Sequence, residues 1–262
     1  MPNRPGLLEG CSVRAAERIS GLHRDTILKL LVTAGDKCEK LMGRLIVNVP
    51  VKDVECDEIF GFLQKKQKRV QPEDDQNFGD AYTFVAVERN TKLVLNFALG
   101  KRNQATTDIF IEGLRHATAL QRFQITTDGF APYRSAIVNT LEDRVDFAQL
   151  IKIYRATPEG ERRYSPAEIV STEVVSICGD PDPERICTSI VERQNLTMRM
   201  QIRRLTRLTN GFSRKWENLW AALCLHFAYY NFCRVHKSLR VTPAMQAGIT
   251  DRIWDIGELL TS

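Results

Sequence analysis

Three β-like runs in close succession constrain this chain more than any other feature. They read VKDVECDEIFGFL (51–63), YTFVAVE (82–88) and KLVLNFALG (92–100), rich in β-branched and aromatic residues, with the polar turn Arg89-Asn90-Thr91 between the last two. Runs joined so closely pair as antiparallel neighbours. The pattern then changes: TTDIFIEGLRHATAL (106–120) is helix-like and leads into the strand RFQITTD (122–128), and PYRSAIVNTL (132–141) leads into VDFAQLIKIY (145–154). Strands first adjacent and then alternating with helices predict an α/β fold, a mixed sheet flanked by helices.

At 262 residues the chain exceeds a typical single domain, so a main domain with a small accessory module is expected. The accessory piece is at the front. SVRAAERISGLHRDTILKLLVTAG reads as two short helices joined at Gly21-Leu22, the first opened by Ser12 and the second ended by Gly35. The spacing predicts a small all-α helix-turn-helix module over 1–45, whose second helix would offer Arg24, Asp25 and Lys29 to a DNA groove; a helical pair that merely packs on its neighbour has the same spacing. Its supporting first helix reads as abbreviated, with only LLEG before Ser12. The main domain is expected over 50–240 and a short tail over 241–262. Six Pro and Gly residues without a sustained period predict an irregular insertion over 156–190, followed by helices at about 188–208 and 214–233.

The formal net charge of +5 is unevenly placed. Residues 193–240 hold ten Lys or Arg against the single acid Glu217, whereas 156–190 hold three bases against seven acids. A basic helical region suits a polyanion, most commonly nucleic acid. The seven cysteines form no C-x-x-C pair and no signal-peptide pattern follows Met1, so a reducing cytoplasm is the expected home. The apolar run LWAALCLHFAYYNF is shorter than the ~20 residues of a membrane span and contains His226 and Asn231, so it reads as a buried helix.

The helix opening at about 188 carries the chemistry. At ~100° per residue, Ile190, Val191, Met198, Ile202, Leu205 and Leu208 gather on one side and Glu192, Asn195, Arg199 and Arg203 on the other. Glu192 has no basic neighbour three or four places away, so the ordinary helix salt bridge is missing. An acid sharing a face with arginines fits a metal site beside a phosphate backbone, provided that further carboxylates arrive from elsewhere. Asp57 lies mid-strand opposite the face of Val54, Cys56, Phe60 and Phe62, while Glu58 interrupts that face, and periodicity does not choose between the two acids. Asp128 ends a strand, where Asp-Gly is also an ordinary turn pair. An early strand, the end of a later strand and a helix can bring three acids to one sheet edge, as phosphoryl transfer by two Mg²⁺ ions requires. Magnesium takes oxygen ligands, so Asp and Glu suit it better than the scattered cysteines.

Taken in order, SVRAAERISGLHRDTILKLL, CDEI, TTDGFAPY, YSPAE, VERQNLTMRM, RRLTRLTNGFS and YNFCRVHKSLRVTPAM resemble segments of the DDE transposases of bacterial insertion sequences, specifically the insertion-sequence-one type. The resemblance implies a ribonuclease-H-like domain and the catalytic, metal-binding acids Asp57, Asp128 and Glu192, which favours Asp57 over Glu58. It implies two Mg²⁺ ions, with Mn²⁺ as a substitute, and an enzyme that cleaves the ends of an element and joins the freed 3′-hydroxyl to target DNA. Asn195, Arg199 and Arg203 would assist the site or hold the DNA backbone. His236 and Lys237 match a family segment, although a helix C-terminal cap accounts for them as well. The run KKQKR brings Lys65 and Lys66 as further phosphate contacts, or as a solvated turn. The partners implied are double-stranded DNA, as terminal inverted repeats and target, and a second copy of the chain in an active complex on the bacterial nucleoid, with no membrane. The chain departs from the family at Phe60, where relatives usually carry Trp, and in its acidic 156–190 segment. Two other functions are compatible with the same residues: a catalytically silent, shortened transposase that binds element ends and represses, and a nuclease that cuts without joining.

Overall fold

The computed structural model describes residues 6–155 and 169–261. Among them, six strands form one sheet: β1 (Asp53–Leu63), β2 (Gly79–Glu88), β3 (Val94–Gly100), β4 (Phe123–Thr127), β5 (Val145–Tyr154) and β6 (Ile169–Cys178). Their spatial order is β3-β2-β1-β4-β5-β6. The first three strands run antiparallel to one another, β1 pairs parallel with β4, and β4 pairs parallel with β5. The expected mixed α/β sheet with flanking helices is therefore present, in a topology compatible with a ribonuclease-H-like domain.

Helix α1 (Val13–Ser20) starts where expected, with the Ser12 hydroxyl accepting from the Ala15 amide at 3.1 Å, and it stops at Gly21, which takes the left-handed conformation at φ 73°. Helix α2 (Arg24–Leu45) differs from the expectation. It does not end at Gly35 but runs on to Leu45, burying Leu31, Cys38, Leu41 and Met42. Gly35 is there for close approach: a Cβ on it would lie 2.5 Å from Cα of Ala221, on a helix near the end of the chain.

The two crossovers of the parallel strands are α3 (Gln104–Ala117) and α4 (Pro132–Leu141). Asn103 caps α3 by accepting from the Thr106 amide at 3.0 Å, and Pro132 opens α4, where its missing N–H costs nothing. Phe110 of α3 and Tyr133 of α4 meet Phe84 of β2 with ring centroids 5.7 and 6.3 Å away. This aromatic cluster centres on Phe84, which pairs with Glu58 of β1 across the sheet.

The segment 156–190 is not wholly irregular: 169–178 is β6, an antiparallel neighbour of β5, and 156–168 lies outside the described residues. The strand gave no period because Ile169, Val170, Ser171, Thr172, Glu173 and Val174 are all exposed, so neither face required an apolar alternation.

Helix α5 (Ser189–Gln201) is shorter than the expected 188–208. The Thr206 hydroxyl donates to the carbonyl of Arg199 at 2.9 Å, a side-chain bond that competes with the helix ladder, and the chain turns at Arg203–Leu205. Ile202 and Leu205 are buried as expected, but Leu208 is exposed, with φ 58°, and is not part of the apolar face.

The apolar run is helix α6 (Trp216–Ala228), which continues as one wider turn over Tyr229–Cys233. Asn231 is fully buried and brackets the edge strand β3, accepting from the Val94 amide at 3.0 Å and donating to the Val94 carbonyl at 2.9 Å. These bonds satisfy the backbone of an edge that would otherwise be open. The 241–262 stretch holds the short helices α7 (Pro243–Gln246) and α8 (Ile256–Thr261), with Ala244 and Leu259 buried in the common core. None of the described helices is long and apolar enough to cross a membrane, and the seven cysteines are free thiols.

Candidate active site

Strands β1 and β4 stay in parallel register up to the pair Cys56↔Thr127. The next residue on each strand is an acid, Asp57 and Asp128. Because β4 ends there while β1 continues, these acids stand at the carboxyl edge of adjacent parallel strands, where α/β sheets open a crevice. One oxygen each of Asp57, Glu58 and Asp128 can lie within 4.8 Å of the others. Asp128 also serves its turn, since its Oδ1 accepts from the Phe130 amide at 3.0 Å while Oδ2 lies 3.5 Å from Arg102. The two oxygens of Asp128 thus have different neighbours, the Phe130 amide of the turn and the Arg102 guanidinium.

Helix α5 brings Glu192 into the same cleft, outside the close group of Asp57, Glu58 and Asp128, and its position is set by β1. Thr188 makes no side-chain cap bond, and the buried Glu55 carboxylate does that work from the strand, accepting from the amides of Ile190 and Val191 at 2.8 and 3.0 Å. Three residues after Glu192, the Asn195 side chain donates to Oδ2 of Asp57 at 2.8 Å. Asp57, Asp128 and Glu192 all line one cleft of about 640 Å³, together with Arg102, Lys152 and Tyr154.

Glu192 is not without a basic partner. The helix supplies none, but Lys152 of β5, forty residues earlier, forms an ion pair with Oε1 of Glu192, and the Thr188 hydroxyl donates to the same oxygen at 2.6 Å. Arg102 is the second protein cation here. Its Nε donates to Oε1 of Glu58 at 2.5 Å and its guanidinium lies 3.9 Å above the Phe130 ring. Tyr133 donates its hydroxyl to the other oxygen of Glu58 at 3.2 Å. The Glu58 side chain, 2 % exposed, is thus held by Arg102 and Tyr133, whereas Asp57 and Asp128 line the open cleft.

Burial is the main cause that raises the acids' pKa values, and like charge adds to it at two of them. Asp57 is pushed up to about 7 by burial, then by the charges of Asp128 and Glu192, against the opposing bonds from the Glu58 amide and Asn195. Glu58 rises to about 7 by burial and the Asp128 charge, with Arg102 pulling the other way. Asp128 is raised by burial. Crowded, partly buried oxygen donors of one sign fit a hard divalent cation, whose charge would relieve the repulsion. Arg199 is lowered to about 10, first by burial and then by Arg207, while the Asp57 charge draws it back up.

Other residues expected to contact DNA are elsewhere. Arg24 and Lys29 are exposed on α2, Arg203 is exposed beyond the end of α5, and Lys66 is exposed after β1. Lys65 is tied to Asp74 at 2.6 Å. His236 and Lys237 sit in the turn after Cys233 and do not line the cleft, and the His236 ring is 3.1 Å from the Ser238 hydroxyl. The residues that sequence reasoning missed are Arg102, Lys152, Tyr133 and Glu55. No periodicity marks them, because each acts on a partner distant in the chain.

No protein-family model matches the chain, and no curated protein matches it. Among solved structures, the cryo-EM structure of the piggyBac transposase synaptic complex with hairpin DNA is similar at 13% identity and a TM-score of 0.34, over 80% of this chain and 51% of that one. The chain spans about half the length of that transposase, and at this score the functional reading rests on the cleft itself.

Proposed function

We propose that the chain is a DDE transposase of the insertion-sequence-one type, with a ribonuclease-H-like catalytic domain and Mg²⁺-dependent polynucleotidyl transfer as its reaction. The observation that carries this reading is the meeting of Asp57 and Asp128, each one residue past the shared register of the parallel strands β1 and β4, in one cleft that Glu192 also lines. The segments CDEI, TTDG and VERQN that resemble the family are the ones that supply these three acids. The DNA-bound and self-associated states belong to the same proposal.

Asp57 and Asp128 would bind a pair of Mg²⁺ ions, and Glu192 would complete the coordination of one of them. When bound, the ions supply Lewis-acid stabilisation of charge on the phosphorus oxygens. Asn195 holds the Asp57 carboxylate in place through its 2.8 Å bond, and the Phe130 amide does the same for Asp128 at 3.0 Å. Arg199, half-buried beside the cluster, and the exposed Arg203 follow Glu192 along the chain and are suited to phosphate oxygens. Arg24, Lys29 and Lys66 would extend the contact along the duplex. Water attacks the phosphodiester at the element end and releases its 3′-oxygen as the free hydroxyl, which then attacks a phosphodiester of the target DNA and displaces a target 3′-oxygen; both displacements are in line, with no covalent enzyme intermediate.

The direct test is Asp128→Asn. The substitution removes one of the crowded charges and keeps the size of the side chain, so the protein should fold. Joining of a 3′-hydroxyl DNA end to target DNA in Mg²⁺ should fall by about 10³-fold, the rate equivalent of several kcal/mol of charge stabilisation. Undiminished joining would remove Asp128 from the mechanism. End-specific binding without any joining by the unmutated protein would instead support the repressor, and cutting without joining the nuclease.

A further inference from the structure

Lys152 has no place in a carboxylate metal site, yet it is part of this one. It follows three places after Gln149, the last residue of β5 in register with β4, and lines the cleft. Its side chain is 20 % exposed, and it forms an ion pair with the Glu192 oxygen that Thr188 also contacts. A divalent ion binds a carboxylate oxygen at ~2.1 Å, and an ammonium sharing that oxygen would lie within about 4 Å of the ion, where two cations repel strongly. Metal and Lys152 therefore exclude each other at Oε1 of Glu192, the oxygen that the ammonium and the Thr188 hydroxyl share.

Once expelled, the Lys152 ammonium remains tethered in the lining of the cleft, with Tyr154 also in that lining, and is free to meet a nucleic-acid phosphate that enters it. We propose that Lys152 is a resident competitor of the divalent ion at Glu192, so that the Glu192 side of the cleft fills readily only when a phosphate draws the ammonium away. Metal binding and phosphate binding are then linked, each strengthening the other. This rests on the reading of the cleft as a divalent-cation site, and it goes beyond it by assigning a role to a residue outside the ligand set. Lys152 is a positioning and competing residue, not a catalytic one.

Mn²⁺ binding to the full chain, followed by the EPR signal of free Mn²⁺, tests the proposal. Lys152→Met should bind Mn²⁺ about fivefold more tightly than the unmutated protein, the factor that an ion pair this exposed contributes. Lys152→Arg should keep the weaker affinity. Because the competition runs through one carboxylate, Lys152→Met should bring no gain in a Glu192→Gln background. Anisotropy of a labelled DNA duplex should show Mn²⁺ tightening binding to the unmutated protein more than to Lys152→Met. Equal Mn²⁺ affinity in Lys152→Met and the unmutated protein would overturn the proposal alone, as would a gain that survives Glu192→Gln. Absence of Mn²⁺ binding to both proteins, or binding unaffected by Asp128→Asn, would overturn the cation-site reading and the proposal with it.

Discussion

His226 is 1 % exposed, neither of its ring nitrogens has a hydrogen-bond partner among the described residues, and burial with the nearby Arg234 charge pushes its pKa down to about 3. The folded chain keeps this imidazole neutral, whereas an unfolded one takes up a proton near pH 6.5. The stability it contributes is therefore complete above about pH 6.5 and is lost as pH falls toward 3, because the unfolded state binds the extra proton throughout that window. His226→Phe keeps the stacking with Tyr230 and Phe227 and deletes both unpartnered nitrogens. Thermal melts should show an unchanged or higher midpoint at pH 7 and a shallower loss between pH 6 and 4, and an acid limb identical to that of the unmutated protein would contradict this assignment. At this scale the acids were legible and their partners were not. The strand pattern narrowed the first acid to Asp57 or Glu58 and put Asp128 at a strand end, the family resemblance alone choosing Asp57, but Arg102 reaches Glu58 across 44 residues and Lys152 reaches Glu192 across 40. Such long-range pairs leave no local trace.

The helices show why a residue type can be read correctly as punctuation at one position and wrongly at another. Gly21 ends α1 because the left-handed φ of 73° is required there, while Gly35 sits inside α2 because α6 passes too close for any side chain. The sequence pattern around the two is alike, and only the partner helix tells them apart. Gly35→Val should separate α2 from α6. Overpacking of this kind costs about 1–3 kcal/mol, and the gain in helix propensity over Gly, under 1 kcal/mol, offsets only part of it. Urea unfolding should show a lower midpoint with an unchanged slope, and a midpoint equal to that of the parent would mean that the crossing is looser than the 2.5 Å approach implies. In the same way α5 depends on a residue that is not its own. Its N-terminal amides are held by Glu55 of β1, which fixes where Glu192 faces, and nothing in the helix sequence announces this. Strand β6 escaped notice for the opposite reason, since exposure of both faces over most of its length left no apolar alternation to read.

In the whole molecule, one strand order brings residues 57 and 128 together, and α5 adds Glu192 to the cleft that they line. The antiparallel β1-β2-β3 meander places β1 at the centre of the sheet, the crossover through α3 lays β4 parallel beside it, and the residue after their last shared pair is an acid on both sides. This much of the architecture followed from three adjacent strands and two helix-strand alternations, because burial of one sheet by its crossovers imposes those periods. The charge balance of the cleft did not follow. Among the described residues, Glu58 and Asp128 pair with Arg102 and Glu192 with Lys152, while Asp57 takes its side-chain contact from the neutral Asn195. A protein crystal soaked in Mn²⁺ and measured at a wavelength giving anomalous signal tests the central claim most directly. The account predicts a peak between Asp57 and Asp128, with carboxylate oxygens at ~2.1 Å, that disappears in Asp128→Asn. A saturated crystal with no peak between these two carboxylates, or with its Mn²⁺ bound only elsewhere, would contradict it.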